Sequence, residues 1–82
     1  MSMDWVRRFL ILEAQRFSEA ERRNVEIARK LPDGQIERAF YESVANAYRN
    51  VTRTLWRYIE KGSDKDLNDA YRYLFDWAFE LL

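Results

Sequence analysis

Four basic residues recur at every fourth position in the middle of the chain: Arg49, Arg53, Arg57 and Lys61. On an α-helix this spacing places the four charges in one row, and Tyr48, Trp56 and Tyr58 are interleaved with them. Cations that bind phosphates, beside rings that stack on bases, are typical of proteins that bind single-stranded nucleic acids. However, the 14 basic and 14 acidic residues cancel, whereas such binders are expected to be clearly basic. A nucleic-acid-binding helical module is therefore the alternative prediction, and a solvated helix face is preferred.

Three polar residues, Glu13, Glu21 and Asn24, interrupt the apolar side of the first predicted helix. Carboxylates in such positions can form a catalytic pair or a metal site, but di-metal helical bundles use Glu-x-x-His motifs, and the chain has no histidine. Polar contacts that fix the helix register explain these residues better. Antiparallel packing predicts partners on the second helix for two of them: Asn24 beside Ser43, and Glu13 beside Thr54 or Asn50.

The remaining sequence offers little chemistry. The acidic stretch 63–69 begins like a calcium loop, but the required glycine and glutamate are replaced by Asp69 and Phe75. Without cysteine or histidine, the chain lacks thiolate chemistry, cysteine-based zinc sites and the usual general base near neutral pH. We therefore expect no catalytic residue, no metal and no cofactor, and predict that the protein is not an enzyme.

Three helices are predicted to position these residues. Apolar residues in 35–61 recur at steps of three and four, which is the spacing of one helix face: Ile36, Phe40, Val44, Ala47, Val51, Leu55 and Tyr58. The predicted helices are about 3–31, 34–61 and 64–82. Pro32 ends the first helix, and Asp33 is the predicted N-cap of the second. Gly62 is predicted to be left-handed, and Ser63 to cap the third helix.

The short connections make successive helices antiparallel neighbours. At 1.5 Å per residue, the first two helices are about 40 Å long and the third about 28 Å. The third can therefore cover only the first half of helix one and the second half of helix two. Segment 5–12, which is apolar nearly all round, is expected to touch both neighbours. The prediction is an all-α, antiparallel three-helix bundle forming a single domain, 1–82, with a two-helix hairpin projecting at one end.

The third helix has more apolar surface than this packing uses. Its apolar arc covers about 240°, whereas a helix packed on one side needs little more than about 100°. The residues that flank its core stripe are the predicted protein interface: Tyr73, Phe75, Trp77, Phe79 and Leu82. Large exposed apolar patches are uncommon on monomers. A two-fold dimer is the commonest way to cover one self-complementary patch.

The predicted function is therefore a small non-enzymatic interaction or structural module that binds itself, as a dimer, or another protein. No membrane partner is expected, because the longest uninterrupted apolar run is 9–12, far too short for a membrane span. A cytoplasmic location is expected by default.

Overall fold

Three α-helices joined by two short turns form the described part of the chain. The computed structural model describes residues 2–80, with side chains for 2–79. Helix α1 spans Asp4–Lys30, α2 spans Ile36–Lys61 and α3 spans Asp64–Glu80. Residues 2–80 contain no strand, which confirms the all-α prediction. The predicted end of the third helix, 81–82, lies outside the described residues.

The first turn is held by an arginine and not by the predicted cap. The prediction for Asp33 is wrong, because Gln35 occupies the N-cap position of α2 and makes no side-chain capping bond. Asp33 instead forms an ion pair with Arg38, with 2.7 Å between Asp33 Oδ1 and Arg38 Nη1. Arg38 also donates to the carbonyl of Leu31 at 3.1 Å and to Glu42 at 2.9 Å. The carboxylates of Glu42 and Asp33 raise the pKa of Arg38, and the Glu42 hydrogen bond is the largest cause.

The second turn follows the prediction closely. Gly62 is left-handed, with φ 73°, and its N–H donates to the carbonyl of Tyr58 at 3.1 Å. A side chain at Gly62 would be strained in this conformation, because residues other than glycine rarely adopt it. Ser63 Oγ accepts a hydrogen bond from the backbone N–H of Asp66 at 3.1 Å, which caps α3. The Asp66 carboxylate in turn accepts from the Ser63 hydroxyl.

The main core lies at the end of the molecule where all three helices meet. Each helix contributes three buried residues to it: Val6, Leu10 and Ala14 from α1, Val51, Leu55 and Ile59 from α2, and Leu67, Ala70 and Leu74 from α3. Nearer the first turn, the described hydrophobic residues that are fully buried are Ala28 and Ala45. The prediction that α3 covers one half of the hairpin is therefore confirmed.

The molecule is elongated because the hairpin projects beyond α3. Its radius of gyration is 14.8 Å and its longest dimension 51 Å, whereas a compact domain of this size has a radius of about 12 Å. Within residues 2–80, no helix combines the length and apolarity needed to cross a membrane.

Two groups of residues that the apolar pattern places in the core are exposed. Ile36 and Phe40 begin the predicted stripe of α2, yet their exposures are 88% and 59%. They lie in the half of the hairpin that α3 does not reach, so the apolar stripe of α2 extends beyond the part of α2 that α3 covers. Trp5 and Leu12 are also more than half exposed. The predicted two neighbours bury Val6 and Leu10 but leave the outer side of α1 open.

Candidate interaction surface

Tyr71 on α3 joins the aromatic residues of α1 and α3 into one group. Its ring centroid lies 6.0 Å from that of Trp5 and 5.8 Å from that of Phe9. The ring of Phe75 approaches it at 4.8 Å in an edge-to-face arrangement. Edge-to-face pairs at these distances are worth about 0.5–1.5 kcal/mol beyond the area they bury. The rings therefore pack α3 against α1.

Much of this group faces solvent. Phe75 is 48% exposed and Phe79, one helical turn further along α3, is 71% exposed. Trp5 and Leu12 are exposed on α1, and Phe9 and Tyr71 are half-buried between them. We call these six residues the aromatic surface: Trp5, Phe9, Leu12, Tyr71, Phe75 and Phe79.

The α1 part of the aromatic surface combines apolar side chains with neighbouring charges. An open groove of about 560 Å³ runs along α1 between Trp5, Phe9 and Leu12. Exposed charges of both signs, Asp4 and Arg8, also line it. An apolar and aromatic centre with a charged, solvated rim is the usual anatomy of a protein–protein interface.

The five interface residues predicted from the sequence separate into two groups. Phe75 and Phe79 lie on the aromatic surface, whereas Tyr73 and Trp77 are half-buried against the chain's own core. Trp77 packs against the rings of Phe17 and Tyr48, with centroid distances of 5.0 Å and 5.8 Å. Long side chains of α1 and α2 thus cover this flank of α3. Leu82, the fifth predicted residue, lies outside the described residues.

The remaining residues of the aromatic surface come mainly from α1, and the sequence prediction of the interface omits them. Trp5, Phe9 and Leu12 belong to the segment that is apolar nearly all round. That excess of apolar residues is the same signal from which an interface is predicted on α3. The same signal is present on α1. Val6 and Leu10 are the residues of this segment that are buried in the core, so its other apolar residues exceed what the core needs.

The basic row is only partly available to a ligand. Arg49 donates to Glu21 at 2.8 Å across the helix interface and to Asn46 at 3.1 Å. Lys61 lies 5.8 Å from the ring centroid of Tyr58. Arg53 and Arg57 are exposed and form no ion pair with the side chains described for 2–79.

The aromatic residues beside the basic row pack within the fold. Tyr48, Trp56 and Tyr58 are all half-buried, and the Tyr48 ring packs against Phe17 and Trp77. A base that stacks on aromatic side chains needs a ring face open to solvent. The structure therefore brings two arginines to the surface without an open aromatic platform.

The polar residues of α1 have other side-chain partners than those predicted. Glu21 forms the cross-helix contact with Arg49, whereas Glu13 pairs with Arg16 of its own helix at 3.3 Å. Asn24 donates to the Ala20 carbonyl at 2.7 Å. The expected cross-helix hydrogen bonds to Ser43, Thr54 and Asn50 are absent from the side chains described for 2–79.

We predict that Asn24→Leu leaves the free energy of unfolding unchanged or raises it. The Asn24 side chain binds only a carbonyl of its own helix, and well-packed apolar groups often replace half-buried polar groups without loss. Urea unfolding of both proteins at low micromolar concentration measures the difference. A loss of several kcal/mol would place Asn24 in a polar network that the structure does not contain.

Side chains 2–79 contain no group of three or more acidic residues placed to hold a metal ion. The candidate binding surfaces of the described chain are thus the aromatic surface, a second apolar strip on the hairpin and the two arginines of α2.

No protein-family model, curated protein or solved structure matches this chain.

Proposed function

We propose that this protein is a small non-enzymatic interaction module that binds another protein chain through its aromatic surface. The observation that carries the proposal is the exposure of Phe75 and Phe79 beside Trp5 and Leu12. Four large apolar side chains in one place are unusual on the surface of a monomer and mark a site of association. Aromatic residues are also the commonest energetic centres of interfaces.

The ring contacts within the site support this proposal. Phe75 is fixed against Tyr71, and Tyr71 against Trp5 and Phe9. A surface that is ordered before binding loses little side-chain freedom on association, so more of the contact energy appears as affinity. Its position on two helices, without a loop, also favours a partner that is itself a helix with an apolar face.

The occupant is either a second copy of the chain or a different protein. A two-fold dimer in which α3 packs against its mate uses only this patch and satisfies the symmetry of the commonest oligomers. The cytoplasmic location is part of the same proposal, as the default expectation. The lack of histidine and cysteine supports a non-catalytic role.

Sedimentation equilibrium at 1–50 µM separates the two occupants. A dimer that the substitution Phe79→Glu dissociates identifies a second copy on the aromatic surface. If Phe79→Glu leaves the association state of the wild-type protein unchanged, the partner is another protein, and affinity capture on wild-type and Phe79→Glu columns from the source cells identifies it. Equal retention of every protein on both columns would contradict a role for this surface.

The alternative function, nucleic-acid binding, is favoured by one observation, the exposure of Arg53 and Arg57 on one side of α2. If these residues bind phosphates, replacing both with alanine should weaken binding of a single-stranded oligonucleotide and reduce its salt dependence. We predict instead that the wild-type protein does not retain oligonucleotides at low salt, because the chain is neutral. Fluorescence anisotropy of a labelled oligonucleotide checks this, and micromolar binding would revive the alternative.

A further inference from the structure

A second exposed apolar strip lies on the projecting hairpin, at the end of the molecule remote from the main core. It consists of Ile27 on α1 with Ile36 and Phe40 on α2, all exposed, and we call it the hairpin strip. Ile27 follows Phe9 by about five helical turns, so the two side chains leave α1 in the same direction. Because Phe9 packs on Tyr71 of α3, the hairpin strip continues the side of the hairpin that α3 covers.

A row of charges borders this strip on α1. Five exposed residues follow one another at steps of three and four and alternate in sign: Arg16, Glu19, Arg23, Glu26 and Lys30. Such spacing places them along one edge of the helix. Among the side chains described for 2–79, only Arg16 of this row forms an ion pair, with Glu13.

This row is complementary to a second copy of itself running in the opposite direction. If a two-fold axis passes α1 at the level of Asn24, Arg23 of one copy faces Glu26 of the other, and Glu19 faces Lys30. The symmetry forms each pair twice. The level of this axis also agrees with the shape of the monomer. Phe17 is still in contact with Trp77 of α3 and α1 ends at Lys30, so Asn24 lies near the middle of the uncovered segment.

We propose that the hairpin binds a second copy of this chain, with the two hairpins antiparallel and their hairpin strips packed together. The dimer then has four helices at its centre, because the hairpin of each copy occupies the side of the other that α3 leaves open. Paired charges of α1 form the edge of the contact and exclude the parallel orientation, which would bring the α3 helices of the two copies together. The aromatic surfaces lie at opposite ends of this dimer, so the dimer presents two copies of the site to which the proposed function assigns the partner.

Reversing single charges and mixing the variants tests this arrangement. Arg23→Glu should weaken self-association about tenfold, because it makes two attractive pairs repulsive. Glu26→Arg should do the same. In an equimolar mixture of the two variants, residue 23 of each copy again faces an opposite charge at residue 26 of the other. Sedimentation velocity and native mass spectrometry should therefore show a heterodimer that restores the wild-type affinity. Both side chains are exposed, and circular dichroism confirms that each variant is folded.

Two further variants distinguish the hairpin strip from the aromatic surface. Phe40→Glu should abolish self-association, whereas Phe79→Glu, the same substitution on the aromatic surface, should leave it unchanged. The inference is overturned if the wild-type protein stays monomeric at 100 µM, or if the mixture associates no better than either charge variant alone. It is also overturned if Phe79→Glu dissociates the dimer and Phe40→Glu does not, a result that would assign self-association to the aromatic surface.

Discussion

Replacing Leu55 with alanine is expected to lower the free energy of unfolding by about 3–4 kcal/mol, the range found for fully buried leucines. Leu55 has no exposed surface and lies in the core shared by all three helices. A domain of this size has a total stability of roughly 5–10 kcal/mol. The variant should therefore lose about half of its stability, measured by urea unfolding followed by circular dichroism.

Leu12→Ala is the matched control for this substitution. It removes the same atoms from a leucine that is more than half exposed on α1, and should change the free energy of unfolding by less than about 0.5–1 kcal/mol. Both measurements belong at low micromolar concentration, where association contributes least. Equal losses at Leu55 and Leu12 would contradict the placement of the core at the three-helix end.

Phe79→Glu is expected to weaken association through the aromatic surface by at least about thirtyfold, equivalent to about 2 kcal/mol, the usual effect of removing a central aromatic residue. Phe79 is 71% exposed, so the unfolding of the isolated chain should change little. In contrast, the melting temperature of the wild-type protein should rise with the concentration of its partner, and that of the variant should not. Differential scanning calorimetry against a partner titration measures both.

Phe40→Glu is the control for Phe79→Glu because it makes the same change on the hairpin strip. If both substitutions reduce partner binding equally, the effect is general and the aromatic surface has no special role. If Phe79→Glu unfolds the isolated chain, Phe79 contributes to the core, and its exposure in the structure does not describe its role in solution.

The sequence predicts the three helices and the main core well because both depend on local spacing. The steps of three and four place Val51 and Leu55 on one face of α2, and the glycine-serine pair at 62–63 allows only a tight turn before α3. The lengths of the helices then determine which half of the hairpin α3 covers. Each of these inferences needs only the geometry of a single helix and the length of a connection.

The exposed surfaces could not be predicted in the same way because they depend on neighbouring helices. Trp77 and Phe79 are both aromatic residues flanking the core stripe of α3, and a helical wheel cannot show that Phe17 and Tyr48 reach one and not the other. Ile36 likewise belongs to a regular apolar stripe that extends beyond the helix covering it. Spacing shows the direction of a side chain, whereas exposure depends on where the neighbour ends.

The contacts of long charged side chains also could not be predicted from residue spacing. Asp33 stands where an N-cap is expected, but Arg38 spans the turn and binds its carboxylate. Arg49 belongs to a regular basic row, but it reaches Glu21 on the opposite helix. Flexible side chains can choose among several partners of similar energy, and the packing of α1 on α2 decides which partner is close enough.

Site-specific photo-crosslinking from position 12 tests the role of the aromatic surface most directly. Leu12 is replaced by a photoreactive phenylalanine analogue, and the same analogue replaces exposed Arg53 on α2 as the control position. After irradiation in an extract of the source cells, we expect a discrete covalent adduct from position 12, to a second copy or to another protein. That adduct should disappear when Phe79→Glu is added and should not form from position 53. The absence of an adduct from position 12, or identical adducts from both positions, would contradict the assignment of this surface as the binding site.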